Sequence, residues 1–224
     1  MSAARRSFRF DAPAEPDRWN GLPAALARLA LALPPGTPVR CTVAADTYPG
    51  DAPAPADLVT GAGFTVEAAR YLPFRASGPV GAPAAGGGGR FVVDARRDRT
   101  LPDFVAGGLR ALVCGLNPSL VAADAGYGFA GATNRFWAVA AASGLVAVPR
   151  DPLASLAADR VGMTDLVKRA TPNADTLTAE EYRAGAERVR RLVEWLRPGV
   201  VISVGLAGWR AAIDRRAVAG RQPA

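Results

Sequence analysis

Apolar positions along the chain fall into two regimes. In the first hundred residues they form short runs cut by proline and glycine. Pro23 to Leu33 is helix-like and stops at Pro34, Pro35 and Gly36. Val39 to Ala45 follows as a strand, then a Pro/Gly/Ala-rich loop from Tyr48 to Ala56, and a further strand after Gly63, from Phe64 to Leu72. Beyond Leu101 the pattern is sharper. Ala111 to Leu116 is a continuous apolar run ending in Asn-Pro, which suits a buried parallel strand held extended by the following proline. Arg135 to Ser143 reads as a helix with Asn134 as N-cap and Gly144 as its stop. Thr178 to Arg197 is a longer helix: Thr178 with Glu181 makes a capping box, and Tyr182, Ala186, Val189, Val193 and Leu196 share one face. Its arginines, Arg183, Arg188, Arg190, Arg191 and Arg197, fall mostly off that face and are expected on a solvated surface. Val200 to Val204 is a second buried strand, followed by Gly205 and a short helix.

Strand, helix, helix, strand in that order predicts an α/β fold with a parallel sheet and helices on its faces. Ligands of such sheets bind at the carboxyl ends of strands. Asn117 and Gly205 stand at two such ends. Between the regimes, Ser77 to Gly89 (SGPVGAPAAGGGG) is the best linker segment, because four consecutive glycines hold regular structure poorly. No Lys-Ser/Thr follows and no strand leads in, so these glycines do not read as a phosphate loop. The expected division is 1–76, a small α/β unit; 77–100, linker and lead-in; and 101–224, the second α/β unit.

Composition narrows the chemistry. The chain has 224 residues and no histidine, which removes Ser-His-Asp and Cys-His catalysis and histidine-ligated metals together. Any mechanism must run on Asp, Glu, Asn, Arg, Ser, Tyr or backbone groups. Cys41 and Cys114 lie in apolar strand-like runs without CxxC spacing, so neither a metal site nor a disulfide framework is expected. A net charge of +7 fits an anionic partner such as nucleic acid. The absence of a signal peptide or a spanning apolar run leads to the expectation of a cytoplasmic, non-membrane protein.

One stretch carries more information than the rest. Gly115 to Trp137, GLNPSLVAADAGYGFAGATNRFW, resembles the mismatch-specific uracil and thymine DNA glycosylases, whose first motif is a G-I/L-N-P-G/S turn and whose next segment ends in NRFW. The similarity continues through VGMTDLVKRAT, Val161 to Thr171, and VVISVGLAGWRAA, Val200 to Ala212. The resemblance implies a three-layer parallel-sheet glycosylase fold, preceded here by the small α/β unit. It implies hydrolysis of the N-glycosidic bond of uracil, with thymine acceptance open, in G:U or G:T mismatched double-stranded DNA during base-excision repair. Asn117 would position the water. Gly115, Leu116, Pro118, Ser119 and Leu120 would line the base pocket, with the Ser119 and Leu120 N–H groups donating to the flipped base and Phe129 stacking on it. Ser119 stands where some relatives have glycine, so its hydroxyl could contact the base or crowd its C5. Lys168, Arg169 and Arg135 are candidates for DNA phosphates. Asn134, Phe136 and Trp137 read as cap and packing.

An amide can hold a water without being a strong base, which predicts a slow enzyme dependent on a good leaving group. The enzyme would be monofunctional and monomeric, needing no metal or cofactor. Its sole lysine, Lys168, is not placed for a Schiff base. Two departures from the family qualify this expectation. Family members carry a further strand and an N/S-x-S-G-L wedge loop, whereas this chain ends at GRQPA, which predicts an incomplete C-terminal motif. The N-terminal part, ALARLALALPPGTPVRCTVAADTYPGD and DLVTGAGFTVEAARYLPF, resembles the C-terminal end of a class I S-adenosylmethionine-dependent methyltransferase without its Gly-rich cofactor turn. A catalytically silent damage-binding protein and a methyltransferase fragment are therefore the competing expectations.

Overall fold

The computed structural model describes residues 4–11, 16–45, 48–73 and 88–222. The elements follow the order β1 (Arg6–Phe10), α1 (Leu22–Leu31), β2 (Pro38–Ala44), α2 (Pro55–Gly61), β3 (Phe64–Pro73), β4 (Gly89–Arg97), β5 (Ala111–Gly115), α3 (Leu120–Ala125), α4 (Phe136–Ala142), α5 (Pro152–Ala158), β6 (Val161–Asp165), α6 (Ala179–Leu196), β7 (Val201–Ser203) and α7 (Leu206–Ala212). Short 3-10 turns precede α1 and α6. No helix among the described residues is long and apolar enough to cross a membrane.

The strands form two sheets. The first has the order β1-β2-β4-β3, with β1 parallel to β2 and β4 antiparallel to both of its neighbours. The second is the parallel sheet β6-β5-β7 that the strand-helix order predicts. Residues 89–97, expected as the end of a linker and a lead-in, are instead a central strand of the first sheet. The alternation in Arg-Phe-Val-Val-Asp-Ala-Arg-Arg carries that strand, and the glycine run before it masked the signal. Of the expected linker, residues 77–87 lie outside the described residues.

A single buried cluster joins the parts on either side of residue 100. It contains Leu26, Val39, Cys41, Val59, Phe64 and Val93 together with Leu109, Leu112, Leu192, Trp195 and Leu196. A second cluster packs Val113, Val161 and Met163 against Trp137 and Ala140 on the opposite face of the parallel sheet. Helix α6 thus has two duties, covering β5 and sealing the first sheet. Its Arg191 also pairs with Asp57 of α2 at 2.9 Å.

Arg188 departs from its expected solvated place on α6. It is 7% exposed and bonded to the carboxylate of Asp103, the Thr164 hydroxyl and the Asp165 carbonyl. Asp103 arrives from 85 residues upstream, so nothing in the helix itself marks Arg188 as buried. At Gly185, one turn earlier, an added Cβ would collide with the Leu166 carbonyl, so α6 lies directly on the chain leaving β6. The capping box at the start of α6 forms as its sequence dictates.

Candidate active site

The chain passes from β5 to β6 on one side and then returns across β5 through α6 to β7 on the other. The crevice beyond the carboxyl end of β5 is therefore a topological switch point, where sheets of this kind take their ligands. Gly115 ends β5 and Asn117 follows in the turn before α3.

The Asn117 amide is fixed. The two Nδ2 hydrogens serve three acceptors, the Thr171 hydroxyl at 2.8 Å, the Arg169 carbonyl at 3.1 Å and the Pro118 carbonyl at 3.2 Å, so that one hydrogen is shared. Two of these are carbonyls, which only accept, so the orientation of the amide is settled by chemistry. Thr171 is held in turn, through its N–H donating to the Pro118 carbonyl at 3.1 Å. Asn117 Oδ1 accepts nothing from the described residues and is free to hold a water.

Phe129 reaches the same end of β5. Its φ of 59° is a left-handed conformation that a bulky residue adopts only when its surroundings impose it. The ring lies 4.1 Å from that of Phe136, tilted by 30°. A Cβ built on Gly115 would sit 3.5 Å from Phe129 Cζ and clash with Asp165 Oδ1. Glycine at 115 is what lets the carboxylate and the ring approach β5 from the same side.

Asp165 was not among the residues expected at the site. It ends β6, in register with Gly115. Its carboxylate accepts no hydrogen bond from the described residues, although its carbonyl is used by Arg188. Burial raises its pKa to about 6, opposed by Lys168 and Arg188 and reinforced by Asp103. The sequence signal was available but faint, an acid closing an apolar strand in a chain without histidine.

The other expected residues divide. Gly115 and Pro118 are buried at the turn. Ser119 is exposed, and its hydroxyl accepts from the Ala122 N–H at 3.1 Å as the N-cap of α3, so in this structure that oxygen serves the helix. Leu120 opens the same helix. Leu116 points away, because alternation along β5 sends it to the opposite face, against Gly208 of α7. It lines an apolar cavity of about 210 Å³ with Gly115, Leu166, Val189, Val193 and Trp209, and neither Asn117 nor Phe129 lines that cavity.

Among the basic candidates, Lys168 is taken into the interior, its side chain 10% exposed and paired with Asp103 at 2.9 Å. A buried, neutralised ammonium is not placed for a phosphate. Arg169 is exposed but forked onto both oxygens of Glu181 and bonded to the Thr176 carbonyl, and this pairing holds Glu181 down at about 2. Arg135 stays exposed at the start of α4 without a partner among the described residues. Next to it, the Asn134 side chain accepts from the Phe136 N–H at 2.9 Å, one position off the expected cap, and Trp137 Nε1 donates to the Gly128 carbonyl at 2.8 Å.

The parallel sheet and the turn after β5 lie in the part of the chain that comparison with known families identifies. The family model of the uracil DNA glycosylase superfamily matches residues 102–222. The chain belongs to the uracil DNA glycosylase superfamily. Its chemistry is thereby that of a DNA glycosylase, a hydrolase that acts on DNA to release a base. The match begins after β4, so β1 to β4 lie outside the family's span.

Proposed function

We propose that this glycosylase removes uracil from G:U mismatches in double-stranded DNA, as a monomeric, cytoplasmic base-excision repair enzyme. The observation that carries the reading is the Asn117 amide, tied by its nitrogen to three acceptors while its oxygen has no donor among the described residues. An oxygen so fixed can accept from one water and aim it, and a base flipped into the crevice would meet the Phe129 ring.

Asp165 completes the chemistry. The water oxygen forms a bond to C1′ of the deoxyribose as the bond from C1′ to the base nitrogen breaks, and the base leaves with the electron pair. The proton released by the water needs an acceptor, which an amide is not. The Asp165 carboxylate, unbonded and with a pKa raised to about 6, is ionised above that value and basic enough to take it. Arg135, exposed and unpaired among the described residues, is the basic side chain at the NRFW segment left to meet a phosphate.

Single-turnover incubation of the chain with a labelled duplex holding one uracil opposite guanine, followed by hot alkali, tests the reading. Strand breakage that drops at least a hundredfold in Asn117→Ala is the expected result. A folded wild-type protein that binds this duplex but gives no breakage would replace the reading with a silent damage-binding protein.

A further inference from the structure

The N-terminal sheet has one buried face and one open face. Phe8, Phe10, Val39, Cys41, Val43 and Val93 go into the core. By register, the opposite face carries Arg9 on β1, Arg40 on β2, Arg90, Asp94 and Arg96 on β4, and Arg70 on β3. Arg5, just before β1, reaches the same face and pairs with Asp94 and Glu67.

Asp94 is the hub of this surface. Although it lies on the open face it is only 4% exposed. Its Oδ1 takes Arg40 Nε at 2.6 Å and Arg5 Nη1 at 3.1 Å, and its Oδ2 takes Arg40 Nη2 at 3.0 Å and Arg70 Nη1 at 2.9 Å. The Arg40 hydrogen bonds lead in holding this carboxyl far below the usual carboxylate range.

One guanidinium suffices to neutralise one carboxylate, and a second and third repel each other. Three around Asp94 leave an excess of two positive charges. Among the described residues, six arginines (Arg5, Arg9, Arg40, Arg70, Arg90, Arg96) stand on this face against Asp94, Glu67 and Asp11, an excess of three. The three hub side chains keep 36%, 40% and 42% of their surface exposed. A guanidinium has five N–H donors, of which Asp94 uses one or two. The remainder are held at fixed orientation, so little side-chain freedom remains to be lost on binding.

We infer that this face binds the phosphate backbone of double-stranded DNA, as a contact separate from the crevice at Asn117. The arginines span all four strands, and at about 4.8 Å between strands that is roughly 15 Å. A small anion would reach only the hub. A polyanion with closely spaced charges matches the whole row, and its counterions are released when the row is occupied. DNA is the polyanion on which the family acts, whereas β1 to β4 fall outside the family's span.

The test is fluorescence anisotropy of the full chain with a lesion-free duplex, over roughly 50 to 200 mM salt. The double variant Arg70→Gln, Arg90→Gln leaves Asp94 with Arg5 and Arg40, and Arg9→Gln, Arg90→Gln leaves the hub intact should the first pair fail to fold. Either is expected to weaken duplex binding about tenfold and to reduce the log–log salt slope by about 2. Base release from a uracil duplex at saturating protein should not change. Equal affinity and slope in the folded variants, or no duplex binding by wild type, overturns the proposal. So does loss of binding to phosphatidylserine vesicles with duplex affinity intact, which would assign the face to a membrane. Because base release is measured separately, failure here leaves the Asn117 reading standing.

Discussion

At the scale of single residues, Asp165 ties function to stability. Its folded-state pKa lies above the ordinary 3.8, so ionisation is disfavoured in the folded protein and the charge costs stability wherever it is present. In the proposed mechanism the same charge takes the proton. Base release should therefore rise with pH through about 6 and level off above it, with a rate at pH 5 about tenfold below the plateau. Burial is the main cause of this raised midpoint, with Lys168 and Arg188 lowering it and Asp103 raising it. Asp165→Asn should abolish that pH step and slow release while raising Tm at pH 8 by a few degrees, at roughly 2–4 °C per kcal/mol for a protein of this size. The gain in Tm should shrink toward pH 4, where the wild-type carboxyl also becomes neutral. A variant equal to wild type in pH profile and in Tm would remove Asp165 from the mechanism. Asn117 and Phe129 were legible because they sit in one contiguous motif. Asp165 was not, because only the pairing of β6 with β5 brings it beside Gly115.

At the scale of elements, α6 shows what a helical pattern does and does not reveal. Its start was readable to the residue, since Thr178 and Glu181 satisfy each other locally. Its inward face was not. Gly185, Arg188 and Leu192 continue the apolar stripe, but an arginine on that stripe makes sense only with Asp103 opposite. Arg188→Ala would leave the Asp103 carboxylate buried with Lys168 as its remaining cation, and loss of one partner from such a cluster costs about 3–5 kcal/mol. Chemical denaturation should show that loss, and the triple variant Asp103→Leu, Lys168→Met, Arg188→Met should recover most of it by removing all three charges of the cluster. If the triple variant is no more stable than Arg188→Ala, Asp103 is not the group that suffers. The strand β4 is the converse case. Its alternating residues specify a strand well, yet its place between β2 and β3 depends on pairing partners that a linear pattern does not name.

At the scale of the whole molecule, a division near residue 100 looked natural because composition and periodicity both change there. The structure draws the core differently. Leu192, Trp195 and Leu196 belong to the same buried cluster as Val39, Val59 and Phe64, and Arg191 reaches Asp57 across 134 positions of sequence. Burial is decided by which faces meet, and the face that α6 offers to the first sheet has the same 3.6-residue period as the one it offers to β5. The order of synthesis gives this arrangement a cost. On the ribosome the first sheet emerges nearly a hundred residues before the helix that seals it, a wait of roughly 5–20 s at ordinary elongation rates. Throughout that interval Val39, Phe64 and their neighbours lack their final cover, and a nascent chain stalled before α6 is the form of this protein that chaperones and proteases would meet.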